Sequence, residues 1–161
     1  MDRLWSPWRY RYVSTAEEKA ESCIFCVKPA EHHDEANLIV FRGQHNFVLL
    51  NLYPYTSGHV MVAPYAHIPT LEEADEVTAT ELMLLTRRTQ RHLREVYNAP
   101  GFNVGMNIGA CAGAGVAGHI HMHVLPRWAG DANFMTTVAE TRVVPEDLTD
   151  SWRRLRTAFA S

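Results

Sequence analysis

The sequence predicts an α+β domain: a five-stranded antiparallel sheet, one long helix and a C-terminal helix. Three observations predict it. Three short β-rich runs follow one another with turn chemistry between them. A single long amphipathic period separates them from two further β-rich runs. A second helical period closes the chain. The 161 residues make one ordinary domain with decorated ends. At 47% hydrophobic and 20% charged, the composition is globular and excludes a disordered or fibrous chain.

In chain order, residues 1–22 are an aromatic and basic arm followed by an acidic, helix-prone stretch from Thr15 to Glu21. The pair Cys23 and Cys26 comes next, then a polar loop, His32-His33-Asp34-Glu35. Leu38 to Phe41 and Phe47 to Asn51 are β-rich and flank the turn residues Gly43-Gln44-His45-Asn46, which reads as a hairpin. Pro54, Ser57 and Gly58 break the chain before a third strand, His59 to Ala63, that stops at Pro64. Thr70-Leu71-Glu72-Glu73 has capping-box spacing and is expected to open a helical region. Leu82, Leu85, Thr89, Leu93 and Val96 recur at steps of three and four, which gives that helix one buried face. It ends before Pro100-Gly101. Phe102 to Asn107 is the fourth strand, Gly109 to Gly118 a Gly/Ala-rich loop, and His119 to Leu125 the fifth strand, closed by Pro126. Leu148, Trp152, Leu155 and Phe159 repeat the helical step after Pro145. The order is β-β-β-α-β-β-α, with no internal repeat. One domain is expected, with an arm at 1–36, a core at 37–135 and a helical extension at 136–161.

Several function classes drop out. The longest apolar runs, such as Phe47 to Leu50, are too short to span a bilayer. The opening residues lack the apolar stretch of a secretory signal, so a cytoplasmic protein is expected. A net charge of −3, from 15 basic and 18 acidic residues, argues against bulk nucleic acid as a partner. Three cysteines do not make a disulfide framework. Cys111 stands alone, while the Cys23/Cys26 pair reads as a metal half-site or a redox pair. His32 and His33 lie nearby, but adjacent histidines suit one ion poorly.

The densest chemistry is Gly118-His119-Ile120-His121-Met122-His123-Val124-Leu125-Pro126. On a strand, His119, His121 and His123 share one face and Ile120, Met122 and Val124 the other. Nine histidines placed at random would give such a triplet in only about 3% of shuffled chains of this composition. A mononuclear site using all three is disfavoured, because the outer two lie roughly 13 Å apart along a strand. A cupin-like site lacks its nearby glutamate. Three satisfied or solvated histidines remain the plain alternative. A neutral imidazole is a nucleophile that titrates near neutrality, and phosphoryl groups are natural electrophiles for it. The preceding loop, Ala112 to Gly118, offers backbone N–H groups to an anion.

This segment resembles the His-φ-His-φ-His-φ-φ motif of the histidine triad (HIT) family, where φ is apolar. Asn51 to Pro64 resembles that family's ribose-binding strand and its Gly-His turn. Gly101 to Asn107, Pro126 to Phe134 and the opening Leu4-Trp5-Ser6-Pro7-Trp8-Arg9 resemble its bacterial diadenosine-tetraphosphate phosphorylase-like branch. The likeness covers roughly residues 1–135. It implies a HIT-like fold, usually a homodimer, acting on adenine nucleotides or dinucleoside polyphosphates with inorganic phosphate as a possible acceptor. It implies His121 as the nucleophile that forms a nucleotidyl-histidine, and His123 as a residue orienting the phosphate. Asn51 would hold ribose hydroxyls, or serve only as a strand-end turn residue. His59 would sit beside the nucleophile, and Asn107 and the backbone of Gly115 would bind phosphate oxygens. Many members carry Gln-Ser or Gln-Thr before the triad. Gly115-Val116 stands there instead, so the phosphate donors are expected to be backbone N–H groups. Zinc-bearing relatives, including galactose-1-phosphate uridylyltransferase-like cousins, imply a structural Cys2His2 zinc site from Cys23, Cys26, His67 and His119. The implied activity is phosphorolysis of diadenosine tetraphosphate to ATP and ADP. The alternatives are hydrolysis of dinucleoside polyphosphates or nucleoside phosphoramidates, and a nucleotide-binding regulator without turnover.

Overall fold

The computed structural model describes residues 23–131 and 146–160. Residues 1–22 of the expected arm, with the helix-prone stretch from Thr15 to Glu21, the end of the Pro126–Phe134 segment, and residues 136–145 and 161 of the expected extension lie outside these residues. The elements are α1 (Ile24–Ala30), β1 (Ile39–Arg42), β2 (Asn46–Leu50), β3 (Val60–Pro64), α2 (Glu76–Tyr97), β4 (Gly101–Gly105), β5 (Met122–Arg127) and α3 (Leu148–Ala160). The strands form one five-stranded sheet in the order β1-β2-β3-β5-β4, and every neighbouring pair is antiparallel. The α+β expectation holds, and β5 inserts between β3 and β4 because α2 carries the chain across the sheet.

Strand alternation sorts the core into two faces. Val48 and Leu50 of β2, Val60 and Val62 of β3 and Met122 and Val124 of β5 pack beneath Leu82, Leu85 and Leu93 of α2 and Leu155 and Phe159 of α3. Phe47 and Leu49, Met61 and Ala63 point the other way, onto Phe25 of α1. A bulge between Ile39 and Phe41 lets Val40 and Phe41 both serve the helix side. The Trp152 indole N–H donates to the Ile39 carbonyl at 2.9 Å and fastens α3 to the sheet edge. Glu81 of α2 accepts from the backbone N–H groups of Gln44, His45 and Asn46, each at 2.7 Å, and pins the β1–β2 turn to the helix.

Four sequence expectations need correction. α2 does not open at the Thr70 capping box. Thr70 Oγ1 does reach Glu73 at 3.0 Å, but residues Leu71–Glu73 form only a 3-10 turn. The helix starts at Glu76, with the Asp75 carboxylate accepting from the Thr78 N–H at 2.8 Å. The fifth strand does not begin at His119. Its ladder with β3 runs only over Val60↔Val124, Met61↔His123 and Val62↔Met122, and the chain upstream bonds elsewhere, Ile120 N–H to the Ile68 carbonyl. Pro126 does not close that strand, since Phe102↔Pro126 and Gly101↔Arg127 continue the pairing with β4. β3 has already ended its pairing there, so the proline has one strand neighbour rather than two. Finally, α1 was not expected: its seven residues carry Pro29 and no helical period.

Candidate active site

The site lies on the sheet face away from α2 and α3, where β5 rises out of the Gly/Ala loop. Its backbone supports are short. Cys23 is the N-cap of α1 and Cys26 lies one turn on, with its N–H bonded to the Cys23 carbonyl at 3.0 Å. Both thiols therefore face the same way. His67 follows β3, and His119 emerges from the loop beside it.

Cys23, Cys26, His67 and His119 offer four ligand atoms that all lie within 4.8 Å of one another. Cys23 Sγ is 3.4 Å from His119 Nδ1, Cys26 Sγ is 3.4 Å from His67 Nδ1, and Cys26 Sγ is 3.6 Å from His119 Nδ1. Zinc bonds of about 2.3 Å to sulfur and 2.0–2.1 Å to nitrogen, at tetrahedral angles, separate donors by roughly 3.3–3.8 Å. The donor set and its spacing thus fit a metal ion. His119 is also oriented for it: the Nε2–H donates to the Pro64 carbonyl at 2.9 Å, which leaves the Nδ1 lone pair facing the thiols.

The same logic assigns the other tautomers. His121 Nδ1–H donates to the His119 carbonyl at 2.9 Å, so its Nε2 keeps a free lone pair. The Tyr55 N–H donates to His59 Nδ1 at 3.2 Å. His59 must then carry its proton on Nε2 and donate it to His123 Nδ1, 2.9 Å away. His123 in turn holds its proton on Nε2. The hydrogen bonds therefore assign one tautomer each to His59, His119, His121 and His123.

Burial favours the neutral ring at both positions. It lowers the His121 pKa, with the bond to the His119 carbonyl opposing it. Burial, aided by the neighbouring His121, lowers His123 to about 4. The rings form a contiguous row of tilted and edge-on contacts: Phe25 lies 5.3 Å from His119 and 4.7 Å from His121, His121 lies 4.9 Å from His123, and His123 lies 5.1 Å from His59.

The remaining expected residues are brought close in part. The Asn51 amide nitrogen lies 3.4 Å from His59 Nδ1, while its oxygen accepts from the Tyr53 N–H at 2.9 Å, so the residue also serves its turn. Asn107 donates to the Gly113 carbonyl at 3.4 Å, across the mouth of the loop. The N–H groups of Gly115, Val116, Ala117 and Gly118 have no acceptor among the described residues. Cys111 is exposed and apart. Sequence reasoning missed Phe25, which is 1% exposed and separates the Cys/His cluster from His121. Its position between two converging thiols was the available signal. Tyr55 was also missed: its N–H donates to His59 Nδ1 and its ring lies 4.8 Å from the His59 ring and 6.4 Å from His123.

Comparison with known proteins agrees with this geometry. A family model described as HIT domain matches residues 33–130. A Mycobacterium tuberculosis (strain H37Rv) protein named AP-4-A phosphorylase is 40% identical over 166 residues, covering 99% of this chain and 85% of that protein. Protein hit of Bacillus subtilis (strain 168) is 32% identical over 132 residues, covering 80% and 88%. Among solved structures, a Zn-bound histidine triad family protein from Mycobacterium smegmatis superposes with a TM-score of 0.69 at 30% identity, covering 86% of this chain and 94% of that one. On the imidazole row and the family match together, the chain belongs to the HIT domain family.

Proposed function

We propose that this protein cleaves diadenosine tetraphosphate by phosphorolysis, releasing ATP and then ADP, with His121 as the covalent nucleophile. The observation that carries the reading is the bond from His121 Nδ1–H to the His119 carbonyl, which leaves Nε2 unprotonated and free. Its M. tuberculosis relative supports the choice of substrate.

In the first step His121 Nε2 attacks the α-phosphorus of one adenosine. The N–P bond forms as the bond to the bridging oxygen breaks, and ATP leaves. In the second, a phosphate oxygen attacks the same phosphorus, the N–P bond breaks, and ADP leaves. The imidazolium formed in between keeps its Nδ1–H on the His119 carbonyl. His123 presents Nε2–H to the phosphate, held in that tautomer by His59. The N–H groups from Gly115 to Gly118, which have no acceptor among the described residues, stabilise with Asn107 the charge that develops on the phosphoryl oxygens. The amide of Asn51 binds the ribose hydroxyls. Cys23, Cys26, His67 and His119 hold a structural zinc that ties α1 to the start of the histidine row. The protein works as a homodimer in the cytoplasm.

Product analysis tests the reaction. Diadenosine tetraphosphate should give ATP plus ADP only when inorganic phosphate is present. AMP plus ATP, or two ADP, without phosphate would make water the acceptor and overturn phosphorolysis.

A further inference from the structure

The proposed reaction depends on His59 reaching His123, and His59 is held on one side by the Tyr55 N–H on its Nδ1 and by the Asn51 N–H, which donates to its carbonyl at 2.9 Å. The turn runs Thr56-Ser57-Gly58-His59. Its internal bond is His59 N–H to the Thr56 carbonyl at 3.2 Å. The Thr56 and Ser57 hydroxyls are buried with no hydrogen-bond partner among the described residues. The backbone at Gly58 is set in addition by packing from outside the turn.

That packing comes from the last turns of α2. Gly58 has φ +72°, and a Cβ built there would lie 2.8 Å from Tyr97 Cε2, 3.1 Å from Tyr97 Cζ and 3.2 Å from Leu93 Cδ2. The Tyr97 ring thus rests directly on the Gly58 backbone. It is itself anchored. The Tyr97 hydroxyl donates to Glu146 Oε2 at 2.6 Å, and the Ser151 hydroxyl donates to the same oxygen at 2.6 Å. Arg154 of α3 pairs with the other Glu146 oxygen, donates to the Val96 carbonyl, and holds its guanidinium 4.7 Å above the Tyr97 ring. On the far side the Trp128 indole N–H donates to the Tyr97 carbonyl at 3.3 Å. A ring clamped at its hydroxyl, face and backbone cannot swing away from Gly58.

We propose that Tyr97 is a positioning residue: clamped by Glu146 and Arg154, its ring sets the Gly58-His59 turn and, through His59, the tautomer and placement of His123. This gives α3 and its leading Glu146 a part in the site, although both lie on the opposite side of the sheet. The proposal rests on the phosphorolysis reading for its kinetic consequence alone.

The test uses the full, metal-containing chain and two readouts. Imidazole 15N spectra report the His59 and His123 tautomers without substrate. Steady-state kinetics with diadenosine tetraphosphate and inorganic phosphate report kcat and KM separately. Tyr97→Ala should displace the His59 and His123 signals and lower kcat roughly 10- to 100-fold, with a smaller change in KM. Tyr97→Phe keeps the ring and should fall between Tyr97→Ala and the parent in both. Leu82→Ala, near the other end of α2, should lower Tm but leave the two signals in place. Glu146→Ala frees the ring without removing it and carries the test if Tyr97→Ala does not fold; it should move the same signals less far. Unshifted His59 and His123 signals in a folded Tyr97→Ala or Glu146→Ala protein would overturn the proposal. A parent protein with no turnover would sink the reaction instead, and the spectra would still decide the positioning.

Discussion

The two faces of the sheet are built from the same strands by different physics. Beneath α2 and α3, Val48, Leu50, Val60, Val62, Met122 and Val124 meet hydrocarbon from two amphipathic helices. Among those side chains, contact needs no direction beyond shape. One residue along each strand, the other face turns Leu49, Met61 and His123 into a cross-strand row that leads to the imidazoles. There, nearly every contact that matters is directional: Nδ1–H to a carbonyl, Nε2–H to a second imidazole, thiol against ring nitrogen. The difference shows how one domain separates tasks. Apolar burial on one face supplies stability that tolerates small shifts, and the other face spends it on groups whose protons must sit on one named atom.

If this division holds, substitutions on the two faces should fail in different ways. The largest effect is expected at His121. His121→Ala should lower turnover by roughly 10⁴-fold or more while nucleotide still binds, and His123→Ala should cost a smaller factor. Near-normal turnover in His121→Ala, measured as product release, would reduce the imidazole row to a binding surface.

Metal comes next. The purified protein should carry about one zinc per chain, and Cys23→Ser or His67→Ala should lose metal and Tm together. Structural zinc in small fingers is worth about 10–16 kcal/mol in apparent terms, and a domain with its own core should depend on it less. Full zinc occupancy in His67→Ala would remove His67 from the ligand set.

On the helix face, Leu82→Ala should cost about 2–5 kcal/mol in denaturant unfolding. The folded fraction should keep its specific activity. Loss of activity without loss of stability would contradict the division of labour.

The smallest effect is a pH slope. Burial lowers the pKa of His123 to about 4, from about 6.5 when unfolded. The neutral ring is thus favoured by folding. Its contribution is complete above pH 6.5 and is lost as pH falls towards 4, because the unfolded chain takes up the proton first. Burial lowers His92, under α3, in the same direction. Urea midpoints taken for the parent and His123→Asn should converge between pH 6.5 and 4. Parallel curves would mean that His123 is not held neutral by the fold.

What could be read from the sequence divides along the same line. The helix face was legible because periodicity records burial: Leu82, Leu85, Thr89 and Leu93 recur at helical steps, and all four are buried. The row His119, His121 and His123 was legible through chemistry and family likeness rather than through periodicity. The strand ladder omits the first two, yet their rings still converge. α1 was not legible, since a seven-residue helix containing Pro29 is held by its cysteines and by buried Phe25, not by propensity. Asp75 was passed over for Thr70 because both fit a capping pattern, and only the tertiary path of the chain chooses between them. Contacts such as Tyr97 on Gly58 leave no local trace, because each residue looks ordinary within its own element.

In the proposed reaction His121 attacks phosphorus through Nε2 and holds the nucleotide covalently. The stereochemistry at that phosphorus tests it most directly. A dinucleotide made chiral by sulfur at the α-phosphate, cleaved in the presence of phosphate, should give a product with net retention, because two in-line displacements each invert the centre. Net inversion would mean one direct displacement by the acceptor, and would contradict the covalent role of His121.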